Sequence, residues 1–257
     1  MHRDGKYVYC IIASDYDCNF GPIGIGDENN LVTTIGFEGL CMVVSNHPLR
    51  KMIVSPENIL AHQKVIEKVM TEFRSVIPVR FGTIAATPDE IRNLLQRHYS
   101  EFSELLHTFE NKVEFNVKGI WKNMDTIYKE IDVENAEIRA IRKEIEEESD
   151  PELKKKKMEI AGQIIQKYLG KKKEQEAINI LKSFRRVVFD LRENKLNGER
   201  MFMNTAFLIN SSREKEIDNI MTDLGEHYQD RIDFIYTAPL PIFSFVDLKI
   251  FPEKWEM

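Results

Sequence analysis

Between residues 124 and 145 the apolar side chains Met124, Ile127, Ile131, Ile138, Ile141 and Ile145 advance in steps of three and four, with Glu134 filling the one missing place. A seam with that period belongs to a helix packed lengthwise against a second helix. The second helix is offered at once. After "ESDPE" (148–152), Asp150 suits an N-cap and Pro151 a first helical position, and Leu153, Ile160, Ile164 and Tyr168 continue an apolar stripe. The spacing predicts an antiparallel helical hairpin over about 121–195, with an arm of roughly 28 residues projecting about 40 Å. Gly170, within "YLGKKKEQE", predicts a bend in the returning arm, after which Ala177, Leu181, Phe184, Val188 and Leu191 resume the stripe.

Elements of a different kind flank this hairpin. "KYVYCIIA" (6–13) reads as a strand, "LVTTIGFEGLCMVVS" (31–45) as a strand pair broken near Glu38-Gly39, and "IPVRFGTIA" (77–85) as a further strand. Ser55 with Pro56 opens a helix through 75, and Thr87 with Glu90 opens another through Phe109. Behind these, "KVEFNVKG" (112–119), "MFMNTAFLIN" (201–210) and "RIDFIYT" (231–237) are strands, with a helix over 212–228. The chain therefore reads as α+β in two domains. Residues 1–110 form an N-terminal α+β domain, and residues 111–257 a modified ferredoxin-like unit whose first helix is extended into the hairpin.

Composition narrows the function classes. The charged fraction, 30%, is concentrated on the hairpin, and the net charge of −6 gives no general attraction to nucleic acid or anionic membrane. Three cysteines, Cys10, Cys18 and Cys41, without a CxxC pair, suit a reducing cytoplasm, and no apolar run is long enough for a membrane span. "GPIGIG" (21–26) leads towards a strand rather than a helix, which reads as a loop needing positive φ instead of a nucleotide fingerprint. His62 and His98 lie on apolar helix faces that could pack together. Without a third ligand at useful spacing they read as core histidines rather than a metal site. Lys154–Lys157 read as a solvated helix face ahead of a basic binding patch. No catalytic, cofactor-binding or metal-binding constellation emerges.

Two stretches remain. In "IPVRFGT" strand alternation places Arg80 opposite Phe81, as an interface anchor or a paired structural charge. In "YTAPLPIFSFVDL" (236–248), Pro239 and Pro241 end a sheet ladder, and Phe243, Phe245 and Val246 then need cover. They suit an inter-domain clasp, or a partner-binding surface.

With these segments in view, the chain resembles the gas vesicle accessory family GvpF/GvpL. "YVYCII", "GLCMVVS", "IPVRFGT", "MNTAFLIN" and "APLPIFSFV" match the family's segments in order and spacing. In the last of them, Ala238, Leu240, Ile242 and Phe243 replace the usual glycine, tryptophan, proline and tyrosine. The resemblance implies a non-enzymatic role without cofactors in building gas vesicles. It also implies a cytoplasmic, vesicle-associated place, with the small hydrophobic shell protein GvpA and other accessory proteins as partners. The residues of the two stretches, 77–83 and 236–248, themselves make Arg80, Phe81, Pro239, Pro241, Phe243 and Phe245 the candidate partner-binding or inter-domain positions. The competing expectations are a ligand-sensing or enzymatic ferredoxin-like protein with a pocket around His62, His98 and Arg80, and a coiled-coil scaffold unrelated to vesicles.

Overall fold

The computed structural model describes residues 4–26, 30–248 and 250. By internal contacts the chain divides into two units. One comprises residues 1–115, 208–212 and 238–257, the other 116–207 and 213–237.

The first unit is built on a sheet of β1 (Asp4–Ala13), β2 (Asn19–Gly21), β3 (Val32–Phe37), β4 (Leu40–Pro48), β5 (Ile77–Pro78) and β6 (Ile84–Ala85). Its order is β2-β3-β4-β1-β5, with β6 also on β1. Glu38 and Gly39, both at positive φ (46° and 83°), make the two-residue turn between β3 and β4. The GPIGIG loop has positive φ at Gly21 and Gly26, as its glycines imply, and residues 27–29 lie outside the described set. β1 is the centre and carries a bulge, its register against β4 shifting between Val8 and Cys10. A bulge sets two successive side chains on one face. Tyr7, Tyr9, Cys10 and Ile12 consequently share one core with α1 (Pro56–Met70), while Val8 and Ile11 share the other with α2 (Pro88–Arg97) and α3 (Tyr99–Thr108).

Ser55 caps α1 and Thr87 caps α2 through the N–H groups of Asn58 and Glu90. The Glu90 carboxylate reaches back to the N–H of Ala86, one residue earlier than a capping box requires. The single helix expected over 88–109 is two, because at His98 the backbone leaves helical geometry (φ −108°, ψ 20°).

In the second sheet the order is β10 (Ile232–Leu240), β7 (Lys112–Trp121), β9 (Met201–Asn210) and β8 (Asp190–Glu193). Three helices, α4 (Met124–Glu134), α5 (Ala136–Glu147) and α6 (Pro151–Leu181), lie between β7 and β8, and α7 (Glu214–His227) lies between β9 and β10. Gly119 is required where it sits, since a Cβ there would meet the Phe202 ring at 2.5 Å.

The helical segment departs from expectation in four ways. The first arm breaks at Asn135, whose extended backbone (φ −120°, ψ 109°) separates α4 from α5. α6 runs unbroken through Gly170. It ends at Leu181, not near 195, and Asp190–Glu193 is a strand rather than returning helix. The apolar register of α6 also departs from expectation in its first turns, where Leu153 and Ile160 are about half exposed while Lys157 and Ala161 turn inward; further on, Ile164 and Tyr168 turn inward as expected. The three-residue connection 148–150 sets this register, and Lys157 spends its aliphatic stem in the seam to reach Glu148 at 3.0 Å. Partner numbers fall on the first arm as they rise on α6, Lys157 with Glu144 and Tyr168 with Glu137 of α5, then Lys172 with Glu134 at the end of α4, so α6 runs antiparallel to α5 and α4.

Candidate partner-binding groove and family

Residues 77–85 do not form the continuous strand that alternation suggests. Ile77 and Pro78 pair with Ile11 and Cys10, Ile84 and Ala85 with Tyr7 and Lys6, and between them the chain turns out of the sheet. The turn is Arg80–Thr83, closed by the Thr83 N–H to the Arg80 carbonyl at 3.3 Å, with Gly82 at φ +86°. Only glycine takes that third position readily. Arg80 therefore stands on a turn in solvent, not on a strand face opposite Phe81.

The turn is fixed from beneath by a buried polar chain. The Tyr7 hydroxyl accepts the Gly82 N–H at 3.0 Å and lies 3.0 Å from His62 Nδ1, while His62 Nε2 lies 3.1 Å from the Val79 carbonyl. A carbonyl only accepts, so Nε2 carries the proton and Nδ1 accepts from Tyr7. His62 is 2% exposed, and burial pushes its pKa down to about 4. It is a neutral core histidine, as its position on the apolar face of α1 suggests. His98 is elsewhere. It sits at the end of α2 against Glu101 (2.8 Å), on a helix that packs on β3 and β4, whereas α1 packs on β1 and β2. The pocket expected around His62, His98 and Arg80 is not formed.

The C-terminal segment meets this turn within the same unit. Pro239 is exposed in β10, which is an edge strand, where a missing N–H costs no ladder bond. The Ala238–Pro239 bond is cis. Pro241 and Ile242 are buried. Phe245 packs against the core shared with α2 and α3, whereas the Phe243 ring lies 6.1 Å from that of His62 on the α1 side. Glu114, 5% exposed, accepts both the Ser244 N–H and its hydroxyl at 2.8 Å. Burial raises the Glu114 pKa, and the two Ser244 bonds oppose that rise. Glu114→Ala is expected to cost about 1–3 kcal/mol by leaving the Ser244 N–H unpaired. Thermal unfolding of the variant checks it.

Arg80, Phe81 and Phe243 thus line one groove of about 730 Å³. Val79, Thr83, Val246, Asp247, Leu248 and Ile250 complete it. Pro239, Pro241 and Phe245 are not part of it; Pro241 lines a separate cleft of about 360 Å³ beside Arg74 and Asn111. Among the described residues the Arg80 guanidinium has no hydrogen-bond or ion-pair partner. The groove therefore offers apolar walls with the Arg80 guanidinium and the exposed Asp247 carboxylate among its lining groups. It has no nucleophile paired with a base, and among the described residues no group of three metal-ligating side chains occurs. Val246 lies in the groove beside Phe243, as its grouping with Phe243 in the sequence suggests, whereas Leu248 and Ile250 escaped the sequence reading although their apolar character after Pro241 is plain in "IFSFVDLKI".

Comparison with known proteins decides what this arrangement belongs to. The family model "Gas vesicle synthesis protein GvpL/GvpF" matches residues 5–247. The chain belongs to the GvpL/GvpF family. Gas vesicle protein F of Nostoc sp. is 24% identical, over 83% of this chain and 88% of that protein. Gas vesicle protein F1 of Halobacterium salinarum is 22% identical over 98% and 97%. The crystal structures of GvpF from Anabaena sp. PCC7120 and Microcystis aeruginosa superpose with TM-scores of 0.81 and 0.77. They cover 96% and 95% of this chain, and 100% and 99% of their own, at 20% and 21% identity. The α+β fold of two antiparallel sheets with helices is thus that of the GvpF structures, and membership of the GvpL/GvpF family implies a role in gas vesicle formation. Relatives named F and L both match. No helix among the described residues is long and apolar enough to cross a membrane.

Proposed function

We propose that this chain is a non-enzymatic assembly protein of gas vesicles that binds the small, very hydrophobic shell protein, GvpA, and other accessory proteins. It acts in the cytoplasm and at the growing vesicle. The observation that carries the reading is the Arg80–Phe243 groove, a trough with apolar walls whose lining also holds Asp247 and the Arg80 guanidinium, which has no hydrogen-bond or ion-pair partner among the described residues. An apolar shell subunit made before its lattice exists exposes patches that aggregate. A rigid apolar groove shields such a patch, and the guanidinium pairs with a carboxylate beside it.

The second unit is read as ferredoxin-like with an enlarged first crossover. The succession of strand, helices, two strands, helix and strand, in the spatial order β10-β7-β9-β8, supports this. The antiparallel α5–α6 pair is read as a coiled-coil arm, in line with its three- and four-residue spacing.

The test is co-purification of GvpA with the chain carrying Arg80→Glu or Phe243→Ser. Both positions are exposed, so each variant is expected to melt within about 0.5 kcal/mol of wild type. Recovered GvpA is expected to fall at least about tenfold, the factor that 1.4 kcal/mol of lost binding brings. Undiminished recovery with both variants would remove the groove from the account.

A further inference from the structure

The last turns of α6 leave a space against the second sheet. Alternation along β9 puts Met203, Thr205 and Phe207 on one face. The Phe207 ring lies 4.8 Å from that of Phe184, just past the end of α6, so this is the face that α6 covers. Between helix and strand lies a groove of about 400 Å³. Ala177, Ile178 and Leu181 of α6 form one wall, and Leu196, Phe202 and Met203 the other. A space of that size takes a small organic molecule rather than one or two waters.

Two polar groups on this lining are left unmet. Buried polar atoms are hydrogen-bonded as a rule. Thr205 lines the groove and is 2% exposed, yet its hydroxyl has no hydrogen-bond partner among the described residues. Asn204, also in the lining, donates from Nδ2 to the Lys195 carbonyl at 2.9 Å, while its Oδ1 is shut from solvent and has no partner. The first group can give and take a hydrogen bond, and the second can only take one. A hydroxyl serves either. Charge at the mouth favours neither kind of ion. Glu174 and Glu193 are exposed there and oppose an anion, and Lys173 is already turned to the Gly198 carbonyl at 3.3 Å. A cation finds no buried carboxylate among the lining residues.

We propose that the groove between α6 and β9 is a binding site for an uncharged, largely apolar small molecule that carries one hydroxyl. The apolar walls take its body, and the Thr205 hydroxyl bonds its head. The site lies within the second unit and is independent of the Arg80–Phe243 groove and of what that groove holds.

The test titrates the full chain, labelled with carbon-13 at its methionine methyls, with p-cresol and with p-xylene, which differ by a hydroxyl in place of a methyl. Met203 lines the groove and is the reporter, its signal being the one missing from Met203→Leu. Both probes are expected to shift that signal saturably in the wild-type chain. Thr205→Val keeps the shape of the side chain and removes its hydroxyl. It is expected to weaken p-cresol at least tenfold and to leave p-xylene unchanged or tighter. Ala177→Phe fills the groove from the half-buried face of α6, away from the strand, and is expected to abolish the Met203 response to both. It keeps the test open if the valine variant fails to fold. No shift of Met203 with p-cresol up to its solubility limit overturns the site. An equal effect of Thr205→Val on the two probes overturns the role of the hydroxyl and leaves a plain apolar cleft. A Met203 response that survives Ala177→Phe in a folded chain places the binding elsewhere and overturns the proposal.

Discussion

Replacing His62 by alanine is expected to lower stability at pH 7 by about 3 kcal/mol, a fall in Tm of roughly 6–12 °C for a domain of this kind. The substitution empties a site 2% exposed among Tyr7, Tyr9 and Phe81. It also leaves the Tyr7 hydroxyl without its acceptor and the Val79 carbonyl without its donor. The effect has a definite pH signature. An unfolded imidazole titrates near 6.5, while folded His62 titrates at about 4. Between those values the unfolded chain takes up a proton that the folded chain refuses. Wild-type stability therefore falls as pH drops through this window, by about 3 kcal/mol at full extent. The alanine variant lacks that term, so the gap between the two proteins is expected to narrow from pH 7 to pH 4. Thermal melts of both proteins across that range read it directly. An unchanged Tm at pH 7 would mean that His62 does not hold the Arg80 turn.

Arg231→Ala is expected to be comparably damaging, in the other unit. The guanidinium binds Glu130 of α4 at 2.6 and 3.0 Å and Glu176 of α6 at 2.9 and 3.0 Å. The three side chains are 28%, 30% and 13% exposed, so the pairs are partly withdrawn from water. Without Arg231 two carboxylates face one another, with Lys172 left to serve Glu130 and Glu134. Removing one partner of such a set costs about 3 kcal/mol. Arg231→Lys is expected to recover less than half, because an ammonium cannot fork between two carboxylates. The acid sensitivity follows from Glu130, whose pKa Arg231 first, and then Lys172, holds below the ordinary glutamate value. Its contribution is complete above the ordinary value and is lost as pH falls through the depressed one. Denaturant titrations of wild type and both variants at pH 7 and pH 3 are the check, with the difference between wild type and alanine expected to shrink in acid.

Much of the fold is legible in the residues because the signals are local. Ser55-Pro56 and Asp150-Pro151 start helices where their cap and first-turn chemistry says they should. The turn at Glu38-Gly39 and the strands at 6–13, 112–119 and 201–210 follow in the same way. What is not legible depends on partners remote in sequence. The bulge that puts Tyr9 and Cys10 on one face of β1 is set by the register against β4. The break at 80–83 needs Tyr7, from the other end of the unit, to hold Gly82. Asp190–Glu193 looks like continuing helix because Leu181, Phe184, Val188 and Leu191 keep a helical spacing, yet pairing with β9 makes it a strand. Of the candidate site, Arg80, Phe81 and Phe243 meet in one groove, but the sequence had no means of separating them from Pro239, Pro241 and Phe245.

The most direct measurement of the central claim is co-expression of this chain with GvpA, followed by the amount of soluble GvpA that co-elutes with it. The account predicts GvpA in the soluble fraction, eluting with the chain and absent when the chain is omitted. GvpA that is demonstrably expressed yet insoluble in both cases, or soluble but eluting apart from the chain, would contradict it.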